Sequence, residues 1–152
     1  MMGGLTALSP RFVEFVPKTL EPGVLYISIE FATTAHLCAC GCGEKVVLPL
    51  HPTDWRLTYD GKAITMRPSV GNWGFPCRSH YLITGNRIEW AGDWDKEQIA
   101  LGRRRDQTRR ENYFSFETSL RVKPEAAPSA NGKVSKRNGL LSRILKALGI
   151  GG

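Results

Sequence analysis

All four cysteines of this 152-residue chain fall within residues 38–77. Three stand at alternate positions in His36-Leu37-Cys38-Ala39-Cys40-Gly41-Cys42-Gly43, and the fourth ends Pro68-Ser69-Val70-Gly71-Asn72-Trp73-Gly74-Phe75-Pro76-Cys77. Alternate side chains of an extended segment share a face. Gly41 and Gly43 allow the backbone to turn so that the thiols converge. Zinc takes four thiolate or imidazole ligands in a tetrahedron, so Cys38, Cys40, Cys42 and Cys77 form a candidate metal site, with His36 and His80 as substitute ligands. Free thiols or a disulfide are the alternatives. The ligand set matters for chemistry, because a closed four-cysteine site cannot activate water whereas an open cysteine and histidine set can.

The N-terminus lacks a basic segment followed by an apolar run, so no secretion signal is expected and the cysteines are expected reduced, in the cytoplasm. No run of 18 apolar residues is present, so no membrane span is expected.

Around the cysteines the pattern is β. Residues 11–16 alternate, 24–31 are rich in β-branched and aromatic residues, and 45–50 form a run ending near a proline. Asp60-Gly61 and Thr84-Gly85-Asn86 are turn signals, each between two short apolar segments. The expected architecture is mainly β: a small zinc-stapled sandwich or irregular barrel of short antiparallel strands, with a short C-terminal helix. Residues 1–10 are expected to fray and 11–120 to form the zinc-binding domain. Residues 121–138 are a linker by composition, and 139–152 an amphipathic helix with Leu140, Leu141, Ile144, Leu145 and Leu148 on one face. A helix over 96–101 capped by Asp93 or Asp95 is expected to weaken at Gly102, and 112–116 looks β-like. Trp55, Trp73 and Trp90 are expected in the core.

The net charge of +7 is unevenly placed. Residues 103–152 hold 12 Lys/Arg against 4 Asp/Glu, whereas 1–102 hold 9 against 10. The β domain is thus nearly neutral. The arginines of 103–110 read as a solvated run or as a handle for an acidic partner or nucleic acid.

A second cluster overlaps the cysteine stretch. Ser69, Asn72, Ser79 and His80 are close in sequence to Cys77. A serine nucleophile needs a base within hydrogen-bond reach and the base needs an orienting partner. His80 is the natural base and Ser69 the better nucleophile, because Ser79 adjoins His80 and adjacent side chains on a strand point to opposite faces. Glu30 is the candidate orienting carboxylate, and N–H groups of Gly71, Asn72 or Gly74 are candidate oxyanion donors. From spacing alone, His80 also fits a structural histidine or a metal ligand.

The segments Leu25-Tyr26-Ile27-Ser28-Ile29-Glu30-Phe31, Cys38-Ala39-Cys40-Gly41-Cys42-Gly43, Pro68-Ser69-Val70-Gly71-Asn72-Trp73 and Pro76-Cys77-Arg78-Ser79-His80-Tyr81 resemble a bacterial family long described only as a domain of unknown function. Its members are encoded beside ubiquitin-like proteins and their E1- and E2-like enzymes. The resemblance covers about residues 20–94 and leaves the basic tail outside. It implies a serine-type peptidase that hydrolyses bonds after the Gly terminus of a ubiquitin-like protein, with structural zinc. The corresponding motif residues here are Cys38, Cys40, Cys42, Cys77, Ser69, Ser79 and His80. A non-catalytic zinc module that recognises the ubiquitin-like protein or its E1- or E2-like partner is the alternative, and a zinc hydrolase with an open site is a third.

Overall fold

Two four-stranded sheets enclose the main core. The structure is a computed structural model and describes residues 4–121. The first sheet has the order β1 (Ser9–Phe12), β2 (Val24–Ser28), β3 (Thr33–Leu37), β4 (Lys45–Pro49). The second has the order β5 (Arg56–Tyr59), β6 (Ile64–Gly71), β7 (His80–Thr84), β8 (Arg87–Trp90). Neither closes into a barrel. A helix, α1 (Lys96–Arg121), follows. One compact unit spans Met1–Ser119, and a second, Leu120–Gly152, contributes only the last two residues of α1 to the described region. The linker expected over 121–138 and the helix expected over 139–152 lie outside the described residues, apart from Arg121.

The alternation in β4 explains its place: Val46 and Leu48 point inward while Val47 is exposed. They meet Leu25 and Ile27 of β2 and, from the facing sheet, Ile64, Met66, Val70, Tyr81, Ile83 and Ile88. Burial of such side chains stabilises by about 1.5–3 kcal/mol each before entropy is counted. β2 is buried on both faces, because Val24 and Tyr26 pack with Leu20 and Ala35 on the outer side. The expected hairpins form. Asp60 Oδ1 accepts from the N–H groups of Lys62 and Ala63, and Gly85 and Asn86 both take positive φ in the β7–β8 turn.

Several expectations are corrected. The segment expected to fray carries Leu8, fully buried in the core, and enters β1, which pairs parallel to β2 rather than antiparallel. β3 was hidden in Thr33-Thr34-Ala35-His36-Leu37, because two threonines and a histidine do not read as a core strand. It pairs with both β2 and β4 and is buried at Thr34, Ala35 and His36. The strand expected over 24–31 ends at Ser28, leaving Ile29 and Phe31 exposed. Trp90 is half exposed, and Trp55 and Trp73 are only partly buried.

The helix is the largest correction. Gln98 N–H donates to Asp95 Oδ1 and Asp95 N–H to Gln98 Oε1, a reciprocal cap. From there α1 runs unbroken through Gly102 and the β-like 112–116. Glycine costs a helix interior only about 1 kcal/mol. Here its missing side chain makes room for Trp94, whose ring would lie 3.1 Å from an added Cβ. Tyr113 and Phe114 face His51 at ring-centroid distances of 5.1 and 6.0 Å, a contact invisible to local propensity.

Candidate functional site

The turn before β7 sends neighbouring side chains to opposite sides of the second sheet. Ser79 points toward the cysteines and His80 toward an outer cleft. Two constellations therefore lie back to back.

The four sulfurs all lie within 4.8 Å of one another. Cys38 Sγ is 3.4 Å from that of Cys40 and 3.9 Å from that of Cys77, and Cys42 Sγ is 3.7 Å from that of Cys77. Four sulfurs at about 2.3 Å from a tetrahedral zinc stand roughly 3.8 Å apart, so the donor set and spacing fit a metal such as zinc. Backbone turns create this: Gly41 N–H donates to Cys38 O, Cys38 N–H to Glu44 O, and Gly41 and Gly43 have φ of 86° and 83°. Burial pushes the Cys40 and Cys42 thiols up. Burial pushes Cys77 up too, but hydrogen bonds from the Ser79 hydroxyl and N–H, then from Cys40 and Cys42, outweigh it and bring Cys77 down to about 7.

Ser79 and Asn72 serve this side. Asn72 Nδ2–H donates to Ser79 Oγ at 2.8 Å, and Ser79 Oγ lies 3.0 Å from Cys38 Sγ. Asn72 Nδ2 is also 3.6 Å from Cys38 Sγ. Such partners orient thiolates and hold their charge. His36 is not among the converging groups. Its Nε2 lies 2.8 Å from Tyr81 Oη, its Nδ1 has no partner among the described residues, and burial pulls its pKa down to about 4. Burial, then the neighbouring Cys38 charge, pushes the Tyr81 phenol up.

On the other side, His80 Nε2 lies 2.9 Å from Ser69 Oγ, and Nδ1 lies 2.8 Å from the carbonyl oxygen of Gly92. A carbonyl only accepts, so Nδ1 must carry the proton. In the neutral ring Nε2 then offers a lone pair, and the Ser69 hydroxyl donates to it. This is the tautomer a general base needs. Ser69 reaches the imidazole because β6 bulges: four steps from Met66 to Val70 face only two from Ile83 to Tyr81. Bulges re-aim side chains in this way. The residues at 68–71 thus belong to β6.

Aromatic rings sheathe the imidazole. Trp73 and Trp94 lie 4.9 and 5.0 Å from it and stack on each other at 5.7 Å. Ser69 and His80 open on a cleft of about 360 Å³ walled by Gly71, Trp73, Trp94 and, from α1, Arg103 and Arg105. Arg109 and Arg110 bind the Thr53 carbonyl and the Asp54 carboxylate, tying α1 to the loop before β5.

Of the residues singled out from sequence, the structure brings together the four cysteines with Ser79 and Asn72, and separately Ser69 with His80. Glu30 is exposed on the turn after β2, and the group on His80 Nδ1 is the Gly92 carbonyl. A backbone carbonyl leaves no side-chain signal in a sequence. Trp94 and α1 could have been suspected only from an aromatic and a basic run lying next to the motif.

The model of a family described as bacterial ubiquitination-like system serine protease (BubE) matches residues 12–91, just over half the chain. No curated protein and no solved structure matches. The matched span holds the four cysteines, Ser69, Ser79 and His80, and stops before Gly92, Trp94 and α1.

Proposed function

Because the chain belongs to the BubE family of bacterial ubiquitination-like systems, we propose that it is a serine peptidase that cuts the bond following the Gly terminus of a ubiquitin-like protein. The supporting observation is the hydrogen bond from Ser69 to His80 Nε2, with Nδ1 committed to Gly92. In this reading Ser69 Oγ attacks the carbonyl carbon of the scissile bond and His80 Nε2 takes its proton. The tetrahedral adduct collapses to an acyl-enzyme as His80 returns that proton to the leaving amine. Water, deprotonated by His80, then releases the free carboxylate and regenerates Ser69. The Gly92 carbonyl takes the orienting role that Glu30 was expected to fill. It fixes tautomer and ring direction, although a neutral acceptor steadies the imidazolium less than a carboxylate would.

Zinc in the four-cysteine site would be structural. Four sulfurs leave no open position, so its contribution is to cross-link the β3–β4 turn to the β6–β7 loop and hold Ser79, and through it the start of β7, in place. Four free thiols packed together suit a reducing compartment, and we assign the protein to the cytoplasm. No helix among the described residues is long and apolar enough to cross a membrane. Its partners in this reading are the ubiquitin-like protein, its conjugates and the associated E1- and E2-like enzymes.

The test is a fusion of the ubiquitin-like protein from the same system with a short tail after its terminal glycine. Wild type releases the tail and Ser69→Ala does not. Association without cleavage by wild type would instead make this a recognition module.

A further inference from the structure

Acyl transfer at a serine builds negative charge on the carbonyl oxygen, and a donor preset to meet it supplies much of the rate. Backbone N–H groups near the nucleophile are the expected source, yet two of those nearby are committed: Asn72 N–H to Ser79 O and Phe75 N–H to Asn72 O. The indole of Trp73 offers another donor. Its Nε1 has no hydrogen-bond partner among the described residues and, unlike that of Trp55, is not sealed from solvent. It also sits where the side chain of residue 71 would stand, since a Cβ on Gly71 would come within 2.5 Å of Nε1. Gly71 pairs across the sheet with His80 and lies two residues after Ser69. Ser69, Gly71, Trp73 and His80 line one cleft.

The ring is also held still. Trp94 stacks on it, and the Arg78 guanidinium lies 5.6 Å from its centre. Arg78 is itself fixed by the Asp93 carboxylate and the Trp94 carbonyl. An indole N–H donates only and does not ionise near neutral pH, so it can serve an oxyanion without competing for the base.

We propose that the Trp73 indole N–H is an oxyanion donor for acyl transfer at Ser69, and that residue 71 is glycine because the indole nitrogen fills its Cβ position. This rests on the serine peptidase reading above. The experiment compares wild type and Trp73→Phe, which keeps a ring over His80 but removes the N–H, on the same ubiquitin-like fusion. The expected result is a kcat lower by roughly 100- to 1,000-fold. KM should stay within about twofold and the pH profile should keep its shape. A peptide aldehyde ending in glycine, which forms a tetrahedral adduct with the serine, should lose affinity by a comparable factor. Gly71→Ala should act in the same direction by displacing the ring. Its backbone is outside the left-handed region, so it serves even where Trp73→Phe fails to fold. A kcat within about threefold of wild type in a folded variant overturns the assignment. So does a rise in KM with aldehyde affinity unchanged, which would make the indole only a wall of the cleft. Wild type that cleaves nothing contradicts the peptidase reading itself, a different failure.

Discussion

Ser69, on β6, and Ser79, just before β7, lie ten residues apart and carry the same hydroxyl, yet their surroundings differ sharply. Ser79 is 7% exposed. Its oxygen accepts from the Asn72 amide and lies 3.0 Å from the Cys38 sulfur, turned into the cysteine cluster and away from the cleft. Ser69 is partly exposed, on the floor of a cleft, with its proton aimed at an imidazole whose tautomer is set from behind. The strand pleat separates them, because Ser79 and His80 are adjacent and must point apart. In the proposed mechanism, burial beside the cysteines makes Ser79 a brace, and partial burial beside an imidazole makes Ser69 the nucleophile.

That contrast can be broken or sharpened in order of effect. Replacing the base should weigh most: His80→Gln should lower kcat for fusion cleavage by at least about 1,000-fold while leaving bound zinc unchanged. Loss of metal with that variant would move His80 to the Ser79 side of the comparison. Chelation should act on the opposite constellation. Thermal melting after EDTA treatment should fall by roughly 10 °C or more, since a closed cysteine site contributes directly to folding. Activity that fell while the melt stayed put would mark an open, catalytic metal. Ser79→Ala should weaken zinc binding by roughly 10- to 100-fold in a competition titration. It leaves the Asn72 amide without one acceptor, at about 1–3 kcal/mol of stability, but should still cleave once loaded with zinc. The smallest effect belongs to Glu30→Gln, exposed on the turn after β2. Cleavage rates within about twofold of wild type are expected, and a tenfold loss would restore Glu30 as the orienting group.

The cysteine cluster and the Ser69–His80 pair were legible because each depends on residue type and spacing. C-x-C-x-C on an extended segment needs only the pleat to converge, and two glycines in the left-handed region finish the turn. The rule that neighbours along an extended chain point apart also separates Ser79 from His80 on sequence alone. What stayed hidden was set by tertiary contact. Thr34 and His36 are buried in β3 because the segment is sandwiched between β2 and β4, and Thr34 Oγ1 finds the Leu48 carbonyl. Tyr113 and Phe114 are helical because the run from Asp95 continues past Gly102, where Trp94 fills the gap. The acceptor behind His80 belongs to the main chain of Gly92, where no side chain could announce it. Local propensity is outweighed wherever a distant partner decides.

The most direct measurement is the position of a serine-directed covalent label. A fluorophosphonate bearing a small tag, incubated with the zinc-loaded protein and mapped by peptide mass spectrometry, should add one group per chain, on Ser69. Labelling should vanish in Ser69→Ala and persist in Ser79→Ala. Label on Ser79, or none on either serine in a preparation that cleaves the fusion, would contradict the assignment of one serine to chemistry and the other to the metal.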